Sequence, residues 1–586
     1  MKSIIYRLFL VVAAIFAAAA DVCALSPSGT LPVLHINTAG GAPIESKETY
    51  LDATYWLETN GVSDMGADLG TEASPLPLQI RGRGNYTWSG FDKKPYRLKL
   101  GKKAAMLGMD SNKHWALLAH ADDSRGFLRN ALGFELSRLV GMAWTPGSKP
   151  CEVVLNGDYI GLYFLTETVR VDKKRVNVID GDSEVEDWLA DNPGKPWTDY
   201  PFTPLDNTGG WLVEIDNYDD TDQIKVPTLQ QEGQVIRVTY DTPSDYITDA
   251  QKSWLKSQFE TMDRLICNRE DWTGYVDTHA AAQFFIVNQL VGNYESYHGS
   301  CKMYRQRGDG QKWMFGPVWD FGSAFQNINA MKRWIWQSDY LQHWIQDMYR
   351  SDAFRTEVKA VYKELMDGRY SELVPYAESF VKLIRSAAAR DYERWPQYGN
   401  NDIDLDLEVV KSMLDASVTF CNTQFGYEPP VDYSKVRIYL RGFGGWDLNP
   451  AYCFTYTGQG AIFTLKVRDL TGPFKLSGSD WSVYDMGYGP KSADNPVFPL
   501  NTPTVLTRGG ADIQLDRAVP EATLVLDYET STLTVSTEGA VTDIDVDSAD
   551  IIPVYYNLQG QRIDAPAPGS PCIIVRGSTV SKVIRH

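Results

Sequence analysis

Cysteine is scarce in this chain. Seven occur in 586 residues, at positions 23, 151, 267, 301, 421, 453 and 572, with no CxxC pair and no Cys/His cluster. That spacing gives no zinc site and is too sparse for a disulfide scaffold. A basic stripe is also missing: 56 Lys and Arg against 75 Asp and Glu give a formal charge of −19, spread along the chain. Such a surface repels nucleic acid, and a nucleic-acid partner is excluded. No segment after the first residues could span a bilayer as a helix, and there is no tandem repeat of fixed period. Disorder as the main state is excluded as well, because 43% hydrophobic residues, 22% charged residues and 17 Trp, 32 Tyr and 22 Phe are enough for large cores.

At this length a prior of roughly 100–200 residues per domain gives about three or four units. The first, MKSIIYRLFLVVAAIFAAAADVCALS, places Lys2 and Arg7 before an apolar run that Asp21 ends, followed by Val22-Cys23-Ala24. It reads as an export signal over residues 1–24, cleaved after Ala24, which leaves no membrane helix and puts the mature chain outside the cytoplasm. From Leu31 to about Leu100, short alternating runs separated by Gly, Pro and Asp predict strands. RGFLRNALGFELSRLVG predicts a helix, apolar at Phe127, Leu128, Leu132, Leu136 and Leu139 and ended by Gly141. CEVVLNGDYIGLYFLTETV predicts a hairpin turning at Asn156-Gly157. Helices dominate from Asp249 to Phe425, interrupted by a second hairpin at Gly308-Asp309-Gly310. Pro429-Pro430 is the linker candidate, and from Val436 to about Ser536 closely spaced short strands predict a β-sandwich. The expected class is α+β, with a large mixed unit over 28–428, a sandwich over 432–540 and a small β unit over 546–586.

One stretch, GPVWDFGSAF, puts Asp320 in an apolar run, where an ionised carboxylate needs a cation or a partner such as Arg305, Lys312 or Arg333. Phosphoryl transfer would supply the reason, and it needs cations on the phosphates, a metal-binding group and a carboxylate that orients the acceptor hydroxyl. RGRGN offers Arg81, Arg83 and Asn85 at a strand end, although it lacks GxGxxG. In KKPYRLKL the alternation sets Arg97 and Lys99 on the face opposite Tyr96, Leu98 and Leu100. Glu135, on the following helix, could orient Lys99. In VNQLVGNYESYHGSC, Glu295 and Ser300 follow the end of an apolar helix, where loops carry function. His298 there reads as a hydrogen-bonded structural histidine rather than a metal ligand.

The ordered blocks LQIRGRGNYTW…KKPYRLKL, HWALLAHADDSRGFLRNALGFELSRLVG, GDYIGLYFLTETV and FFIVNQLVGNYESYHGSC…WMFGPVWDFGSAF resemble the spore-coat protein H (CotH) kinase family over roughly Leu31 to Phe425. The resemblance implies an atypical protein-kinase-like, two-lobed domain that transfers phosphate from ATP to Ser or Thr of extracytoplasmic or surface proteins, with Mg²⁺ or Mn²⁺. It further implies that Asp320 and Ser300 hold metal, that Glu295, Lys99 and Glu135 form the catalytic set, and that Arg81, Arg83, Asn85, Lys99 and Glu167 contact nucleotide. Glu295 and Ser300 depart from the family's usual Asp and Asn. A carboxylate displaced by about 1 Å can cost ~10²-fold in rate, so a catalytically silent surface protein that binds glycans or acts as an adhesin is the alternative.

VRIYLRGFGGWDLNPAYCFTYTGQGAIFTLKVRDLTGPFKLSGSDWSVYDMGYG resembles the immunoglobulin-like sandwich modules of surface starch-binding proteins. The resemblance implies a polysaccharide partner stacked on Trp446, Trp481 and Tyr484, with Tyr488 as a further candidate and Lys475 adding a hydrogen bond. The end of the chain resembles short C-terminal sorting or anchoring modules, which implies a secreted, cell-surface or outer-membrane-associated protein.

Overall fold

The computed structural model describes residues 25–66, 69–399, 402–492 and 497–537, and the backbone of strands between 554 and 584. The expected signal, 1–24, lies outside the described residues. The fold is α+β, and the chain divides into two compact units at Pro429/Pro430.

In the first unit, β1 (Val33–Thr38), β2 (Leu51–Glu58), β3 (Leu76–Gly82), β4 (Tyr96–Ala104), β5 (Asn112–Leu118), β6 (Ser148–Leu155) and β7 (Asp158–Glu167) close into a barrel in the order β1-β2-β3-β4-β5-β7-β6. The only parallel pairing in it, Val33 opposite Glu152, seals the barrel, so no sheet edge is left to pair with another chain. Leu78, Ile80, Tyr96, Leu98, Leu100, Trp115 and Leu165 alternate into its interior. β5 and β7 are buried on both faces, because Ala116, Leu118, Leu162 and Phe164 point outward into a second core. That core begins with α1 (Leu128–Leu139), whose Leu128, Leu132 and Leu136 belong to it. Phe127 is buried too but stands outside the helix at φ 64°, so the helix starts one residue later than its apolar spacing implies. The Asn156-Gly157 turn between β6 and β7 has φ 52° and 81°, the hand of a two-residue hairpin.

After α2 (Gly181–Asp191), the second core continues through β8 (Trp211–Asp216), β9 (Gln223–Pro227), β10 (Val235–Thr242), α3 (Asp249–Cys267), α4 (Thr278–Val291), β11 (Cys301–Arg305), β12 (Met314–Phe315), α5 (Asp352–Asp367), α6 (Leu373–Arg394) and α7 (Ile403–Phe425). Sequence patterning gives no element between 181 and 248, yet β8 and β10 join the hairpin strands in a sheet ordered β12-β11-β8-β10-β9. One face of β8 carries Glu214 and Asp216, which breaks the apolar run that marks a buried strand. α4 starts at Asp277, whose side chain accepts the Ala280 N–H, and stops at Gly292 with φ 63°. Its end delivers Asn293–Ser300 to the barrel side.

In the second unit a four-stranded and a five-stranded sheet share one core, with Leu440, Leu476 and Met486 facing Phe463, Leu465, Leu524 and Leu533. A further antiparallel sheet follows between 554 and 584. Among the described residues, Cys151, Cys267, Cys301, Cys421 and Cys453 are free thiols and no helix is long and apolar enough to cross a membrane.

The barrel is joined to α6 by a buried ion pair. Lys93 Nζ lies 2.6 Å from Asp391 Oδ1 and donates to the Leu162 carbonyl at 2.7 Å, while Asp391 accepts the Leu162 N–H at 2.7 Å. Gly161 permits this approach, since a Cβ there would lie 2.1 Å from Asp391 Oδ1. Removing one partner strands a buried charge. Lys93→Met is expected to cost about 3–5 kcal/mol in urea denaturation, and Lys93→Met/Asp391→Leu to cost less than the single change; an equal or larger loss in the double variant contradicts the pairing.

Candidate active site

The site forms where the barrel's outer face meets the end of α4. β3 and β4 pair Arg81 with Arg97 and Gln79 with Lys99, and all four side chains leave the barrel interior on the same side. Arg83 follows on the loop, its guanidinium 5.5 Å from the Trp319 ring centre, and Arg81 lies over Tyr50. The Nε atoms of Arg81 and Arg97 are buried and donate no hydrogen bond. None of Arg81, Arg83, Arg97 and Lys99 forms an ion pair among the described residues. The nearby acids Glu214 and Asp241 are already paired with Lys302. His114, opposite Lys99 on β5, is held neutral, its pKa lowered to about 3 by burial and then by the field of Arg170, Arg97, Lys99 and Arg175. A half-buried cationic face with orphaned donors fits a multiply charged anion.

Beside this face stands Asp320, exposed, at φ 58°. Its Oδ1 accepts the Gly322 N–H at 3.0 Å, and its carbonyl accepts from Asn293 Nδ2 at 3.1 Å. Ser323 Oγ donates to Asn293 Oδ1 at 2.6 Å and accepts the Glu295 N–H at 3.3 Å. The residues after α4 are therefore tied to the Asp320 loop, and Glu295 and Asp320 share one electrostatic neighbourhood. Burial, then Asp320, raises the Glu295 carboxyl, while the Ser323 hydroxyl partly offsets this. Arg83 is lowered by burial first, against which Asp320 stabilises its charge. Arg305, Lys312 and Arg333 form no ion pair with Asp320; Arg305 stacks over Trp254 instead.

Phe321 turns inward and packs edge-on against Phe134 of α1, ring centres 5.7 Å apart. It also fills the space over Gly133, where a Cβ would come within 2.4 Å of its ring. The Asp320 loop is seated on α1 by this contact and by Arg129, which donates to the carbonyls of Gly322 and Asp122.

The structure gives several expected site residues protein partners of their own. Glu135 pairs with Arg138 on its own helix at 2.9 Å. Glu167 accepts the Gly147 N–H at 2.8 Å and pairs with Arg175 at 3.6 Å. Asn85 is engaged by Lys47. Ser300 heads β11 at φ 54°, and no hydrogen bond joins it to Asp320. His298 lies against Tyr340, and burial lowers its pKa.

Sequence reasoning missed Asp122 and Arg170. Asp122 is raised to about 6 by burial and then by Asp320 and Asp123, so its carboxylate stands in the same field as Asp320. The adjacent acids in HADDSR were the available signal. Among the described residues no group of three or more His, Cys, Asp or Glu could hold a metal. The donors at Asp320 instead fit Mg²⁺ or Mn²⁺ bound by one or two carboxylates together with phosphate oxygens, the usual arrangement for a nucleotide-bound cation.

In the second unit Trp446 and Trp481 are 44% and 38% exposed, with ring centres 6.4 Å apart. Tyr484 is not beside them: it is buried and stacked on Tyr528 in the sandwich core. Lys475 pairs with Asp485 at 2.5 Å and lies over Trp481. Tyr488 packs on Phe498.

Clustered guanidinium groups near a loop carboxylate have the chemistry that a polyanion with its counter-cation requires. The sequence profile described as CotH kinase protein matches residues 80–419, which contain Arg81, Arg83, Arg97, Lys99, Glu295 and Asp320, and the chain belongs to that family. No curated protein matches the chain.

Gly133→Ala is expected to displace Phe321 and cost about 1–3 kcal/mol through overpacking. Fluorescence-detected urea unfolding measures this; an unchanged midpoint means the loop is not seated through that contact.

Proposed function

We propose that the protein is an exported atypical protein kinase of CotH type that transfers phosphate from ATP to Ser or Thr of extracytoplasmic or surface proteins. The observation that carries the reading is the cationic face of Arg81, Arg83, Arg97 and Lys99, without an ion pair among the described residues and with Arg83 in the field of Asp320. In this reading the kinase-like lobes are the barrel and the helical part, and the guanidinium groups neutralise the phosphates. Asp320 holds Mg²⁺ or Mn²⁺, which supplies charge neutralisation between phosphate oxygens. Glu295 orients the acceptor hydroxyl and takes its proton as the new P–O bond forms and the bond to the leaving diphosphate oxygen breaks. A carboxyl raised by burial suits that role. The N-terminal segment and the C-terminal sheet, read as export signal and sorting module, support a cell-surface location.

With labelled ATP, Mn²⁺ and generic protein acceptors, incorporation is expected for the protein and a loss of at least about 10²-fold for Asp320→Ala. Absence of incorporation together with absence of nucleotide binding by the folded protein overturns the reading.

A second reading concerns the C-terminal unit, taken as an immunoglobulin-like sandwich that binds polysaccharide. The neighbouring exposed faces of Trp446 and Trp481, with Arg441 5.1 Å from the Trp481 ring centre, support a platform for sugar rings. If Glu295 and Ser300 leave the kinase site silent, glycan capture or adhesion is the remaining function. Trp446→Ala and Trp481→Ala are expected to abolish retention on immobilised polysaccharide without unfolding the unit; retention by both variants contradicts the platform.

A further inference from the structure

A cavity of about 150 Å³ lies apart from the arginine face and the Asp320 loop, for none of Arg81, Arg83, Arg97, Lys99, Glu295 and Asp320 lines it. Its wall draws on distant segments: Met142 and Trp144 follow α1, Arg175 follows β7, Ala280 belongs to α4 and Phe315 to β12. Trp144, Phe315 and Tyr304 of β11 give it flat apolar faces, and Met142 and Met314 are unbranched thioethers that adapt to what they touch. An apolar cavity of roughly 150 Å³ takes a benzene ring, so the space suits a ring-sized body.

One polar group in this wall is unfinished. Arg175 is 3% exposed. Its Nη1 donates to the Thr168 carbonyl at 2.8 Å, the Thr168 hydroxyl at 2.9 Å and the His114 carbonyl at 3.1 Å, and the guanidinium lies 5.3 Å from the Trp115 ring centre. These contacts fix the group in place. Its Nη2 is buried and donates to no acceptor among the described residues. A buried donor left unmade carries its full desolvation penalty, and an acceptor in the cavity removes it.

The acceptor that fits is a neutral one. Glu167 lies 3.6 Å from Arg175 Nε and stabilises its charge, and Asp172 and Asp110 act in the same sense against Arg170. The guanidinium therefore has counter-charge but lacks a hydrogen bond. Glu167 Oε1 is itself buried without a donor, so an anion beside Arg175 would meet a carboxylate that is already poorly solvated. A carbonyl oxygen accepts from Nη2 without that repulsion.

We propose that this cavity is a binding site for a small neutral molecule with a ring-sized apolar body and one carbonyl oxygen, which accepts from Arg175 Nη2. The site goes beyond the kinase reading and does not rest on it. Gly316 and Pro317 also line the cavity, so an occupant touches the segment that leads into the Asp320 loop.

Ligand-observed NMR titration of the full chain with benzamide, benzoate and toluene tests this, because the three probes share a ring and differ in the group they offer Arg175. Benzamide is expected to bind at least about tenfold more tightly than toluene, the worth of one hydrogen bond from a charged donor, and by a similar factor more tightly than benzoate. Ala280→Leu, which enlarges a side chain of the wall, is expected to abolish benzamide binding. Crystals soaked in benzamide are expected to show its oxygen within hydrogen-bond distance of Arg175 Nη2.

Toluene binding as tight as benzamide means that Arg175 contributes nothing, and benzoate binding as tight means that the guanidinium seeks charge; either overturns the inference. Undiminished benzamide binding by folded Ala280→Leu, or no benzamide binding by the wild type, overturns it as well. Where that variant does not fold, the soaked crystal decides: benzamide density outside the cavity, or none, overturns the proposal.

Discussion

The site depends on one arginine. Arg129 occupies the second position of α1 and is buried, and its guanidinium bridges the carbonyls of Asp122 and Gly322. A cation that hydrogen-bonds two main-chain segments fixes their separation, and its charge also favours the ionised form of Asp122. Asn293 does the same from the other side, accepting from Ser323 and donating to the Asp320 carbonyl. The loop bearing Asp320 is clamped between α1 and the end of α4, and Phe321 is its apolar anchor.

Charge is divided sharply across this clamp. The barrel contributes arginines whose buried Nε atoms lack partners, and beside them stand the carboxyls of Asp122 and Glu295, raised by burial and then by Asp320. Lys302 with Glu214 and Asp241 is closed on itself. A polyanion with a divalent cation would complete the arrangement: anion on the arginines, cation on the carboxylates. The buried Lys93–Asp391 pair holds the barrel to α6 and so keeps the two halves of that arrangement in register.

Much of the frame was legible in the residues. Alternation in KKPYRLKL put Arg97 and Lys99 outside the barrel, Asn156-Gly157 marked a hairpin, and glycine marked the ends of helices. Closure of the barrel was not legible, because a parallel pairing of β1 with β6 leaves no local pattern. Nor was the β8–β10 sheet, whose polar face is explained only by Lys302 arriving from β11. Within the site, Asp320 stood out because a carboxylate interrupts an apolar run. Asp122 and Arg129 did not, since an acid before a helix and an arginine within one are usually solvated. Nor were the partners of Glu135 and Glu167 legible, because Arg138 and the Gly147 N–H reach them through the fold.

The central claim is that the arginine face and Asp320 form one nucleotide and metal site. Anomalous diffraction from crystals grown with Mn²⁺ and a non-hydrolysable ATP analogue tests it most directly. The account predicts a manganese peak against the Asp320 carboxylate, with phosphate density against Arg81, Arg83 and Arg97. Phosphate density elsewhere on the chain, or a manganese peak away from Asp320 in crystals that hold the analogue, would contradict it.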